Sequence, residues 1–107
     1  MPSRRVIFHR LAANEFRDAR QWYATRSALA EEKFRAAARA SLERIINDPG
    51  FLAPIDETYR RVRVRGFPYI LIFRELPGDL MLVVAVAHTS RRPGYWRRRK
   101  EPFMRTA

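Results

Sequence analysis

The chain has no cysteine and only two histidines, His9 and His88, in 107 residues. Without thiols there is neither a disulfide frame nor a thiolate metal site, and two imidazoles are too few for an ordinary transition-metal centre. No metal and no cofactor is expected. Lysine is almost absent, occurring only at Lys33 and Lys100. Long hydrophobic runs are missing too. The longest, Leu80 to Ala87, is far too short to cross a bilayer, and Met1 to Phe8 holds no apolar stretch of the secretory kind. The expected compartment is therefore the cytoplasm, with no membrane partner. Acidic residues are the last shortage: Asp plus Glu number 11 against 22 for Lys plus Arg, a formal net charge of +11.

What fills the gap is arginine. Positive charge at this density on a small surface repels itself and attracts polyanions or an acidic protein. Arginine adds a rigid, bidentate fork for carboxylate or phosphate, where lysine offers only a point charge. The length suits one domain with one core, and an apolar share of 47% is ordinary for a globular chain.

Periodicity then orders the elements. Val6 to His9 is β-branched and aromatic and reads as a short strand. From about Ala12 to Arg26, Ala12, Phe16, Ala19 and Tyr23 line one face of a helix. Ser27 is the expected N-cap of a second helix, with Glu31 and Glu32 near its positive end. Its stripe runs Ala30, Phe34, Ala37, Ala38, Ser41, Leu42, Ile45 and Ile46, and Asn47-Asp48-Pro49-Gly50 stops it. The many alanines predict a closely packed antiparallel hairpin, with Trp22 and Tyr23 inside it.

After a loop from Phe51 to Thr58 the period becomes two. Val62 and Val64 alternate with Arg61, Arg63 and Arg65, which predicts one core face and one row of guanidinium groups. Gly66-Phe67-Pro68 turns the chain into a strand from Tyr69 to Arg74, with Phe67 and Tyr69 expected in the core. Leu76-Pro77-Gly78-Asp79 turns it again. Leu80 to His88 is apolar throughout, as a central strand covered on both faces should be. The predicted fold is α+β with the order β-α-α-β-β-β, a helical hairpin packed on a small, mainly antiparallel sheet. Residues 1–96 are expected as one domain and 97–107 as a basic tail with a frayed end.

Three stretches, in this order, resemble the RelE/ParE superfamily of bacterial toxins. They are Ile46-Asn47-Asp48-Pro49, the run from Arg63 to Phe73, and the run from Val84 through His88, Arg91 and Arg92 to Trp96. The resemblance covers about Val6 to Trp96. It implies the toxin of a type II toxin–antitoxin pair, a growth inhibitor covered by a separate acidic antitoxin in a hetero-oligomer. RelE-like members cut messenger RNA on the ribosome, whereas characterised ParE-like members poison DNA gyrase. The nuclease branch usually carries an arginine shortly before the aromatic residue that closes the strand after the turn. Here that strand reads Tyr69-Ile70-Leu71-Ile72-Phe73, which favours the ParE-like, binding branch.

The candidate residues follow. Arg61, Arg63, Arg65, Arg74, Arg91, Arg92, Trp96, Arg97 and Arg98 are candidates for contacting the target or the antitoxin. If the chain is a ribonuclease instead, His88 and Tyr95 are its candidate acid and base, with Arg63 and Arg65 holding the phosphate. Each has a blander reading: His88 as a hydrogen-bonded strand end, the arginine row as a solvated face that deters strand pairing, and Trp96 as a side chain folded onto the core. The tail's Lys100, Phe103 and Arg105 suit nucleic acid or an acidic segment equally. A nucleic-acid-binding module without toxicity remains the third alternative, on charge alone.

Overall fold

A computed structural model describes residues 4–99 and, for the backbone only, 104–106. The chain runs β1 (Arg5–His9), α1 (Arg10–Ala24), α2 (Ala28–Asn47), a 3-10 turn (Pro49–Phe51), β2 (Ala53–Pro54), β3 (Tyr59–Val64), β4 (Tyr69–Leu76), β5 (Leu80–His88) and β6 (Met104–Thr106). The sheet order is β2-β3-β4-β5-β1-β6. β3, β4 and β5 form the expected antiparallel meander, while β1 pairs with β5 in parallel. The result is the α+β fold read from the sequence, with additions at both sheet edges.

The helices cover one face. Val6 and Phe8 from β1, Val62 and Val64 from β3, and Leu71 and Phe73 from β4 meet Ala12, Ala19, Phe34, Ala38 and Ile45 there. Phe34 is the hub, stacked on Tyr23 at 4.9 Å and edge-on to Phe67 at 5.2 Å and Tyr69 at 5.4 Å. Phe67 and Tyr69 are partly buried against this core, as expected. β5 is buried on both faces, and its alternation slips by one residue: Ile72 pairs with Ala85 and Phe73 with Val83, leaving Val84 as a bulge. Leu82, Val84, Ala85 and Ala87 thereby face the side without helices, where Ile72 and Trp96 join them.

Several boundaries differ from the sequence reading. α1 starts at Arg10 rather than Ala12, because the buried His9 caps it: Nδ1 accepts the Leu11 N–H at 3.1 Å. It ends at Ala24, and Ser27 then caps α2 by accepting the Ala30 N–H at 2.9 Å, as expected. Trp22 is not inside the hairpin. It is 50% exposed, because Tyr23 takes the inward position one residue further along the helix. The loop after α2 contains β2, paired with Arg60 and Arg61. Met104–Thr106, expected loose, pair with β1, whose outer edge would otherwise be open. Lys100 and Phe103 lie outside the described residues, as does the side chain of Arg105.

Candidate functional site

The alternation of β3 sends Val62 and Val64 into the helical core and leaves Arg61, Arg63 and Arg65 exposed. On the neighbouring strand Arg61 faces Ile72 and Arg63 faces Ile70, so the basic row borders an aliphatic one. Among the described residues no carboxylate pairs with Arg61, Arg63, Arg65 or Arg92. Arg74 is not brought to this group. It faces Tyr59 at the opposite end of the β3–β4 pair, with its guanidinium 5.9 Å from that ring.

The segment after β5 folds back over the sheet face without helices. Gly94 makes this possible with φ 80°, a backbone conformation that side-chain-bearing residues rarely adopt. Trp96 lands on the apolar face, 4% exposed, and edge-on to Tyr59 at 4.6 Å. Arg97 lies over the Trp96 ring at 4.7 Å and bonds Asp56 at 2.8 Å. That guanidinium, with the Tyr59 and Thr58 N–H groups, holds the Asp56 carboxyl down at about 2. Arg98 is exposed.

Arg99 reaches further, to α1. It grips Glu15 through two parallel bonds of 2.8 Å and donates to the Val84 carbonyl at 2.9 Å. Glu15 also accepts the Val86 N–H at 2.9 Å and the Tyr95 hydroxyl at 2.7 Å. The cause is topological. β1 pairs with β5 only as far as Val83, and beyond it the β5 edge has no neighbouring strand among the described residues. Glu15 and Arg99 satisfy backbone groups there that a strand would otherwise take.

The two titratable candidates sit beside this clasp. Burial, together with the bond to Glu15, pushes the Tyr95 phenol above its ordinary value, and the guanidinium of Arg91 covers its ring at 3.9 Å. His88 Nδ1 receives the Ser90 N–H at 3.0 Å and lies 2.8 Å from the Ser90 hydroxyl, while Tyr69 packs edge-on at 5.1 Å. A backbone N–H donating to Nδ1 assigns the imidazole proton to Nε2.

The structure thus brings Arg61, His88, Arg91, Arg92, Tyr95, Trp96 and Arg97 around one cleft, and extends the row with Arg63 on β3 and Arg65 in the turn after it. Glu15 and Asp56 are the residues that sequence reasoning missed. The one signal for Glu15 is a carboxylate between Ala12 and Ala19, close to the apolar stripe of α1. Among the described residues, no three His, Asp or Glu side chains are grouped to hold a metal ion, and no helix is long and apolar enough to cross a membrane.

Comparison with curated proteins gives no match. Comparison with protein families does. The model of the ParE toxin of the type II toxin–antitoxin system parDE matches residues 6–93, from the first residues of β1 to just past the Arg91-Arg92 pair. The match spans both helices, the basic strand and the central strand, and ends before Tyr95, Trp96 and Arg97, which also line the cleft. This chain belongs to the ParE toxin family of type II toxin–antitoxin systems.

Proposed function

We propose that the chain is a cytoplasmic toxin that stops growth by binding DNA gyrase, and that a separate acidic antitoxin neutralises it. One observation carries the binding reading. His88 and Tyr95, the groups that would serve as base and acid, each have a hydrogen bond within the fold, while Arg61 and Arg92 in the same cleft have no carboxylate partner among the described residues. A phenol that stays protonated well above neutrality is a poor partner for proton transfer at neutral pH. Unpaired arginines beside an aliphatic surface are suited to holding a protein surface.

The test is induced expression with radiolabelled precursors, alongside gyrase supercoiling with purified protein. DNA synthesis falls first, cells filament, and supercoiling is inhibited in vitro. His88→Ala leaves this inhibition in place. An early collapse of protein synthesis, with cleavage of translated messages that His88→Ala abolishes, would replace this reading with ribosome-dependent RNA cleavage. Supercoiling untouched by pure protein would remove gyrase as the target.

A further inference from the structure

The sheet face without helices carries a cleft of about 300 Å3, with an aliphatic floor and a basic rim. Ile70 and Ile72 from β4 and Ala87 from β5 pave it. Arg61 stands on the β3 side and Arg92 on the side of the segment after β5. His88 stands directly opposite Tyr69 and turns its imidazole against that ring, toward the helical face, so the charge on the rim comes from arginine. The volume lies at the low end of small-ligand pockets, so it takes a short stretch of chain rather than a folded surface.

Charge excludes a basic occupant and leaves two anionic classes. Single-stranded nucleic acid is held by phosphate contacts together with open aromatic faces on which bases stack. Here those faces are taken: Arg91 covers Tyr95 at 3.9 Å, and Trp96 is buried beneath Arg97. What stays open is aliphatic surface of the half-buried Ile55 and Ile70, with the nearly buried Ile72 and Ala87 beneath, and it accepts a side chain such as leucine or valine. An acidic peptide with an aliphatic anchor matches both the floor and the rim.

We propose that this cleft is the docking site for an acidic segment of the antitoxin, whose aliphatic anchor seats on Ile70, Ile72 and Ala87. Carboxylates flanking that anchor meet Arg61 and Arg92. The assignment to an antitoxin rests on the reading of this chain as a neutralised toxin. The fit of floor and rim does not depend on which target that toxin has.

The test uses fluorescence anisotropy with the full chain at physiological salt and three labelled probes. One synthetic peptide carries leucines flanked by glutamates, a second of equal length and charge carries serines in their place, and the third is a single-stranded DNA oligonucleotide. The leucine peptide binds at least about tenfold tighter than the serine peptide, since burying one aliphatic side chain is worth that much. Ile70→Ser removes this preference. Arg61→Glu weakens the leucine peptide by about tenfold or more, while Arg39→Ala on the exposed side of α2 does not. Thermal melts of each variant confirm folding.

Equal binding of the two peptides would overturn the proposal, leaving only charge attraction. So would tighter binding of the oligonucleotide that Arg61→Glu abolishes. Either result in a chain that still arrests growth discards the docking site and leaves the toxin intact. Discrimination between the peptides by a chain that is harmless in cells keeps the cleft for an acidic segment and withdraws the antitoxin.

Discussion

Two regions of this molecule are rich in arginine and use it in opposite ways. In the segment after β5, Arg97 meets Asp56 and Arg99 meets Glu15, and both guanidinium groups join parts of the fold that are distant in sequence. In β3 and the turn after it, Arg61, Arg63 and Arg65 are exposed with no carboxylate partner among the described residues. The residue type is the same, so the difference lies in where the chain spends its few acids. An arginine given an internal carboxylate becomes architecture, and one left without becomes available to something else. The sequence reading treated both groups as candidate contacts, because a guanidinium reveals nothing of its partner until the chain is folded.

Substitutions that attack this contrast should separate stability from recognition. The largest expected effect is Glu15→Ala. It leaves Arg99 partly buried without its carboxylate and the Val86 N–H without an acceptor, for a loss of about 3–5 kcal/mol in denaturant unfolding. An unchanged midpoint would mean that the clasp adds nothing to the sheet. Tyr95→Phe keeps the ring and removes one bond to a charged group, so about 1.5–3 kcal/mol should be lost.

The same tyrosine has a pH signature. Its phenol is held above the ordinary value of 10.0 in the folded protein, so its contribution is fully present below pH 10 and is lost as pH rises through the folded value. Stability should fall at alkaline pH, and Tyr95→Phe should flatten that fall. Asp56 behaves in the opposite sense. Its carboxyl is lowered from 3.8 to about 2, so the Arg97 contact is present above pH 4 and is lost as pH drops toward 2. Asp56→Asn should therefore lower stability at neutral pH, and the difference from wild type should close as pH falls toward 2. The smallest stability effect belongs to Arg61→Ala and Arg63→Ala, within about 0.5 kcal/mol of wild type in the same unfolding measurement. Those two variants should nevertheless weaken growth inhibition or neutralisation in cells, which no clasp variant does while it stays folded.

The parts of the fold that were legible have strong local signals. α2 announces its start with Ser27 and its end with Pro49, and β3 and β5 announce themselves by alternation and by unbroken apolarity. The parts that were not legible depend on distant partners. β2 is two residues long and ends in a proline, so its pairing with β3 leaves no periodicity to read. His9 is an unusual cap, which hid the first turn of α1. The site divides the same way. The arginine row follows from a period of two, whereas the carboxylate that fixes Arg99 lies 84 residues away and carries no local mark.

That separation also sets an order of events. A contact closing a loop of 84 residues comes after local helices and hairpins, because the entropy of bringing its ends together has to be met first. Glu15 and Arg99 should then be uninvolved in the folding nucleus, and loosening them should quicken unfolding while leaving the refolding rate nearly unchanged. The clasp would act as a latch on a sheet that has already assembled, setting how long the molecule stays folded rather than how fast it gets there.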